Sequence, residues 1–233
     1  MNRRQSFGSV AGAIAATIAA TRISHAKGER HALTPSAPGS HKPVPLPFNA
    51  AKLPGLSEKL LSSHHDNNYA GAVKNLNAVE LELDKVTKDT PGFEVAGLRE
   101  RELTYANSAY LHERYFENLG GDGKPSGDFA KALTKQFGSA ARWEELMRAT
   151  AMSLGGGSGW VVIALSPLTS DLRVVGSGGH TPALAAGTPI LVLDMFEHAY
   201  AIDYGSAHAK YIDAFFANVD WDVLDQRWQA LRK

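Results

Sequence analysis

The alternation of apolar and polar positions predicts two long helices in the first half of the chain. Between positions 57 and 83, apolar residues recur at spacings typical of a helix that buries one face. Pro91 and Gly92 then break the pattern. A second helical stripe covers positions 105–116 and ends at the glycines of 120–123. Two helices joined by a breaker predict an antiparallel hairpin, which forms a first domain over residues 46–120.

Shorter elements are predicted for the second half. Ser126 and Ser139 are positioned to cap two helices. Short β-branched runs, bounded by Pro, Gly and Asp, then predict strands at 160–165, 172–175 and 190–193. The first two strands are close enough in sequence to pair as a hairpin, and helical spacing returns near the C-terminus. The predicted fold class is therefore α+β, with a C-terminal domain over residues 121–233.

Residues 1–26 have the pattern of an export signal rather than of a folded element. Arg3 and Arg4 precede an uncharged apolar stretch at 10–20, and Ser24 and Ala26 provide the small residues of a cleavage site. The paired arginines favour the twin-arginine route to the periplasm or the cell exterior, with a general secretory signal as the alternative. The proline-rich residues 27–45 are predicted to be a disordered leader.

Composition narrows the chemistry that the chain can perform. Its 233 residues include 24 Lys and Arg and 24 Asp and Glu. This balance argues against a nucleic-acid-binding protein, which needs a surplus of positive charge to bind phosphates. The absence of cysteine excludes disulfides, thiolate zinc sites and iron–sulfur clusters. The apolar stretch at 10–20 is too short to span a bilayer, and the mature chain is also expected to have no membrane span. Any metal must be held by nitrogen and oxygen atoms.

Polar residues interrupt otherwise apolar segments at four positions, His64, His112, Asp194 and His198. Buried imidazoles and a buried carboxylate need partners, and one cation would satisfy all of them. This donor set suits iron, manganese or zinc better than calcium. Taken singly, each residue has a structural alternative, either a hydrogen-bonded core histidine or an aspartate that caps a helix.

Residues 194–200 read Asp-Met-Phe-Glu-His-Ala-Tyr. This segment resembles the signature of the iron/manganese superoxide dismutase family, with Phe196 where that family usually has tryptophan. The resemblance extends over residues 46–233 and includes the segments around the two upstream histidines. It implies a two-domain fold whose C-terminal domain holds a three-stranded antiparallel sheet with flanking helices. It also implies one iron or manganese ion per subunit, which converts superoxide to dioxygen and hydrogen peroxide and is bound by His64, His112, Asp194 and His198.

The resemblance implies further roles around the ion. Asp194 and His180 become the candidate catalytic residues, because they would hydrogen-bond the solvent molecule on the metal. Glu197 would bind His198 of the partner subunit and so link a homodimer. Asn68 and Trp160 would lie beside the ligands, with Asn68 standing where the family usually has a histidine.

Several positions depart from the family pattern. Ala72 stands where the family has a gateway tyrosine, and Ala201 where it has an interface tyrosine. Asn67 and His208 replace basic residues that are common near the mouth of the substrate funnel, which predicts weaker attraction of an anion. Protonated His208 would restore part of that attraction, so activity is expected to rise at mildly acidic pH. Two functions therefore stay open, a dismutase and an exported metal-binding or interaction protein on the same scaffold with little or no dismutase activity.

Overall fold

The computed structural model describes residues 37–155, 158–180 and 187–232 of the chain. The predicted signal, residues 1–26, and residues 27–36 of the predicted leader lie outside these ranges. Within them, no helix combines the length and the apolar character that crossing a bilayer requires.

The N-terminal half contains the predicted helical hairpin. Its elements are α1 (Glu58–Ser63), a π-helical segment (His64–Tyr69), α2 (Ala70–Leu83) and α3 (Gly92–Glu117). Ser57 caps α1, because its Oγ accepts the backbone N–H of Leu60 at 3.1 Å. Pro91, at the predicted break, is the N-cap residue of α3, and α2 packs along α3.

The π-helical segment interrupts the single helix predicted over residues 57–83. In a continuous α-helix Leu60 and Leu76 would lie about 160° apart around the axis, since each residue turns the helix by about 100°. A π-helical turn accommodates one extra residue, which reduces that angle to about 60°. Both leucines are buried in the structure. The same phase shift brings His64 nearly into line with Ala72.

The predicted strands form one antiparallel sheet in the order β2-β1-β3. Their bounds are β1 (Trp160–Leu165), β2 (Leu172–Ser177) and β3 (Thr188–Asp194). β1 and β3 are buried almost throughout, whereas β2 is partly exposed. In the register of the sheet Trp160 pairs with Asp194, so the end of β3 lies beside the start of β1.

The helices around the sheet are α4 (Gly127–Phe137), α5 (Ala140–Ser153), α6 (Ala201–Tyr204), α7 (His208–Ala217) and α8 (Trp221–Leu231). Ser139 caps α5 as predicted, with its Oγ accepting the backbone N–H of Arg142 at 3.1 Å. Ser126 occupies the N-cap position of α4, but its side chain makes no capping bond. The carboxylate of Asp225 on α8 accepts the Phe129 N–H at 2.8 Å instead. A residue distant in sequence therefore takes the role predicted for Ser126.

Close backbone contacts after α3 join the two halves of the chain. The N–H of Gly120 donates to the carbonyl oxygen of Asn218 at 3.0 Å. A Cβ atom on Gly121 would lie 2.3 Å from the carbonyl oxygen of Val219, so no larger residue fits this approach. The described residues, which begin at position 37, form one compact unit, and a domain boundary between 120 and 121 stays a prediction.

Part of the predicted disordered leader is ordered. Residues 39–44, here named the N-terminal strap, lie against the helical hairpin. The backbone of His41 exchanges two hydrogen bonds of 2.9 Å with the side chain of Asn77. The N–H of Val44 donates to the hydroxyl of Tyr69 at 2.8 Å. The prediction of disorder is wrong for the strap, because its backbone groups find partners on α2 and the π-helical segment.

Candidate metal centre

Each of four elements contributes one side chain to a single cluster. The residues are His64 at the start of the π-helical segment, His112 on α3, Asp194 at the end of β3 and His198 in a 3-10 turn (Glu197–Ala199). Their ligand atoms all lie within 4.8 Å of one another. Three of the side chains are buried, whereas that of His198 is 24% exposed. The structure thus brings together all four predicted ligands.

The spacing of these atoms fits a single ion. Oδ2 of Asp194 lies 3.1 Å from Nε2 of His64 and 3.2 Å from Nε2 of His198. The same oxygen lies 3.5 Å from Nε2 of His112. Bonds of about 2.0–2.2 Å to a central metal place neighbouring ligand atoms about 3.0–3.6 Å apart when the bond angles are about 90–120°. Three imidazoles, one carboxylate and no sulfur suit iron or manganese.

Hydrogen bonds orient two of the ligands. Nδ1–H of His112 donates to the backbone oxygen of Ser108 at 2.7 Å, which leaves the lone pair of Nε2 for a metal. Oδ1 of Asp194 accepts the N–H of Phe196 at 2.8 Å, and this bond directs Oδ2 towards the imidazoles. The hydroxyl of Tyr211 donates to the backbone oxygen of Asp194 at 2.7 Å and anchors the end of β3.

The ring of His64 is held by packing. Its ring centroid lies 5.1 Å from that of Tyr115 and 4.9 Å from that of Phe116. Its Nδ1 is buried and has no hydrogen-bond partner among the described residues. With the proton of the neutral ring on Nδ1, the lone pair of Nε2 points into the cluster and is available to a metal.

Burial sets the charge of the cluster. Burial lowers the pKa of His64 and lowers the pKa of His112 to about 3, so both rings are neutral near pH 7. Burial by itself would raise the pKa of Asp194, but the surrounding imidazoles hold it below its ordinary value and keep the carboxylate ionised. Neutral imidazoles and one negative charge are the protonation states in which these residues bind a metal.

His180 lies next to the cluster in a fixed tautomer. Its Nδ1 is 3.0 Å from the indole Nε1 of Trp160, which can only donate. Nδ1 therefore accepts, and the proton of the neutral ring resides on Nε2. Phe196 stacks on His180 with a centroid distance of 4.6 Å and an interplanar angle of 9°. Burial lowers the pKa of His180, which favours this neutral donor form.

A cavity of about 350 Å³ opens above the ligands. Asn67 and Asn68 line it, as do Ala72 and His180. The remaining lining residues come from α2, α3 and the end of the sheet, and they are Gly71, Asn75, Thr104, Tyr105, Ser108, His112, Phe196 and His198. The cavity is the route by which a small molecule in solvent reaches two of the ligands.

Other predicted residues lie away from this route. His208 does not line the cavity, and its ring packs edge to face on Tyr200 with a centroid distance of 4.9 Å. A steering role for His208 therefore stays a prediction. Glu197 and Ala201 are exposed on the surface next to His198, where a partner subunit could contact them.

Two residues orient the ligands in ways that the sequence analysis did not predict. Ser108 contributes its backbone oxygen to His112 from one helical turn away, and the i to i+4 spacing is the signal that could have identified it. Tyr211 is predicted as an apolar position of a C-terminal helix and lies in a segment that shares the family resemblance, but no local pattern links it to Asp194. Its role depends on the packing of α7 against the end of β3.

Comparison with known proteins identifies the family. The family described as iron/manganese superoxide dismutases, C-terminal domain, matches residues 125–227. An iron superoxide dismutase of Cupriavidus metallidurans is 46% identical over 187 residues, which cover 80% of this chain and 95% of that relative. A manganese superoxide dismutase of Haloarcula marismortui is 34% identical over 191 residues, covering 80% of this chain and 92% of the relative. The chain therefore belongs to the iron/manganese superoxide dismutase family.

Proposed function

We propose that this protein is a superoxide dismutase, in which two superoxide anions and two protons give dioxygen and hydrogen peroxide. The observation that carries the proposal is the convergence of three imidazoles and one carboxylate below an open cavity. His64, His112, Asp194 and His198 would hold the ion. Iron or manganese, when bound, supplies the one-electron couple that each half of the reaction requires.

The residues of the chain orient the site and supply hydrogen bonds. Asp194 offers the one negative charge among the ligands and is fixed by its bond to Phe196. His180 presents the N–H of Nε2, because Trp160 occupies its other nitrogen. This N–H is a donor for an anionic oxygen that enters the cavity, and its neutral ring adds no charge. The wide cavity admits the substrate, while the ring of Phe196 shields one side of the ligands.

The test compares two changes of the same kind. Asp194→Ala removes a ligand, whereas Asp213→Ala removes an exposed carboxylate that pairs with Arg148 at 2.7 Å. After loading with iron or manganese, the Asp213 variant is expected to retain metal and superoxide consumption, and the Asp194 variant to lose both. Metal-replete protein that consumes superoxide no faster than the Asp194 variant would contradict the proposal and favour a metal-binding protein without dismutase activity.

The proposal includes a homodimer. Glu197 is exposed beside His198 and makes no ion pair within the described residues. Its carboxylate is free to accept a hydrogen bond from His198 of the partner subunit, and the exposed Ala201 adds to the same surface. Sedimentation should give a dimer for the protein and a shift towards monomer for Glu197→Ala. A monomeric parent protein would contradict this part of the proposal.

The proposal also includes export of the protein by the twin-arginine route. Its support is the sequence of residues 1–26, with Arg3 and Arg4 ahead of a short apolar stretch. Replacing both arginines with lysine should retain the protein in the cytoplasm, and N-terminal sequencing of exported protein should begin at Lys27. Export that is unaffected by the replacement would favour the general secretory route.

A further inference from the structure

The cavity above the ligands is larger than superoxide requires. Its volume of about 350 Å³ corresponds to about twelve water molecules at about 30 Å³ each. A diatomic anion occupies about the space of one or two of them. The cavity therefore has room for a molecule of several heavy atoms beside the ion.

The room results from two small residues on α2. Gly71 and Ala72 both line the cavity. A Cβ atom built on Gly71 would meet no atom within 4 Å, so the space next to this residue is open. Larger side chains at these positions would occupy part of the cavity.

The lining is polar but carries no Lys, Arg, Asp or Glu among the described residues. The side chains of Asn68, Asn75 and Tyr105 line it, and none of these side chains has a hydrogen-bond partner among the residues that the structure describes. Their N–H and O–H groups are donors for oxygen atoms of a ligand. His180 adds the N–H of Nε2 as a further donor.

The charge of the loaded site favours an anion. Asp194 contributes one negative charge and the imidazoles contribute none, so a divalent or trivalent ion leaves the site positive. None of the described lining residues is an Asp or Glu that would oppose the entry of an anion. A carboxylate combines one negative charge with two oxygen acceptors, and its organic part can fill the space next to Gly71 and Ala72.

From this combination of volume, neutral donors and net positive charge, we infer that the cavity binds small organic monocarboxylates up to the size of benzoate. The inference rests on the proposed function, because it takes the ion as part of the site. Gly71 and Ala72 then set the upper size of the ligand. A bound carboxylate blocks the route to the ligands and inhibits superoxide consumption in competition with substrate.

The experiment measures binding of benzoate and formate to the iron-loaded protein by titration calorimetry and by the visible absorption of the iron. Benzoate and formate should both bind, and neutral benzamide should not. Ala72→Tyr and Gly71→Leu fill the cavity and should weaken benzoate about tenfold or more while retaining formate. Ala78→Tyr, an exposed change on the same helix, should leave both affinities unchanged. Because leucine is a better helix former than glycine, Gly71→Leu should fold even if Ala72→Tyr does not.

The outcomes separate this inference from the proposed function. Benzoate that fails to bind while formate binds would overturn it, and so would equal benzoate affinity in folded Gly71→Leu. Superoxide consumption without binding of either carboxylate would refute the inference and leave the dismutase function standing. Benzoate binding to metal-replete protein that does not consume superoxide would support the inference and refute the dismutase function.

Discussion

Removal of the metal should make folding stability depend on pH in the mildly acidic range. In the metal-free protein His112 is 1% exposed and burial lowers its pKa to about 3, against 6.5 for an ordinary histidine. The unfolded chain therefore binds a proton at His112 below about pH 6.5, whereas the folded chain does not. The contribution of His112 to the free energy of unfolding is therefore fully present above about pH 6.5, and it is lost as the pH falls towards about 3. His64, whose pKa burial also lowers, contributes with the same sign.

Between the two pKa values, the size of the effect follows from how far the pH lies below the ordinary pKa of histidine. At about pH 5, one and a half units below the ordinary value, His112 alone should lower the free energy of unfolding by about 2 kcal/mol, at about 1.4 kcal/mol per unit. For a protein of this length that corresponds to about 4–8 °C in melting temperature. The carboxylate of Asp194, whose pKa is lowered, affects the pH dependence of stability only below about pH 4, where carboxylates of the unfolded chain begin to protonate. It therefore does not contribute between about pH 7.5 and pH 5.

The assay is thermal unfolding of chelator-treated protein between about pH 7.5 and pH 5, at constant ionic strength and protein concentration, with His112→Gln alongside. The parent protein should lose about 2 kcal/mol more than the variant over this range, because the variant has no proton to bind at that position. A melting temperature with the same pH dependence in both proteins would refute the reasoning that burial keeps His112 neutral.

Three further predictions concern hydrogen bonds in and around the site. Trp160→Phe removes the donor to Nδ1 of His180, so the proton of the neutral ring is no longer confined to Nε2. We expect elemental analysis to show unchanged metal content and superoxide consumption to show a fall in kcat of about 3- to 10-fold. Asn118→Ala removes the acceptor that lies 2.6 Å from the largely buried guanidinium of Arg227, and calorimetry should show a loss of about 2–4 kcal/mol in the free energy of unfolding. Tyr69→Phe removes the hydroxyl that binds the strap, and limited proteolysis should cleave residues 39–44 faster while the metal content is retained.

Most of the fold was accessible from local patterns in the sequence. The strands around Trp160 and Asp194 are short β-branched runs between breakers, and the glycines after α3 end that helix where predicted. The cap of α4 was not accessible in this way, because Asp225 reaches Phe129 from a helix almost one hundred residues away. The order of the strap was missed for a similar reason. A proline-rich segment has little core of its own, and its partners lie on a helix.

The candidate site was predictable in its ligands and less so in its surroundings. His64, His112, Asp194 and His198 are polar residues within apolar segments, and the motif at 194–200 identifies the last two. The size of the cavity depends on how α2 faces α3, and the missing partner of His64 Nδ1 is visible only in three dimensions. The periodicity of the sequence predicts neither the size of the cavity nor the missing partner of His64 Nδ1.

The π-helical segment between α1 and α2 makes this helix unequally tolerant of changes in length. It contains one residue more than a regular helix would need to connect the same two ends. Deleting one residue within 65–69 would allow α-helical hydrogen bonds throughout and leave Leu60 and Leu76 facing the same core. Deleting one residue within α2 would instead turn everything beyond it by about 100°, with apolar side chains moved into solvent. Natural relatives of different length in this region are therefore expected to differ here rather than within α2.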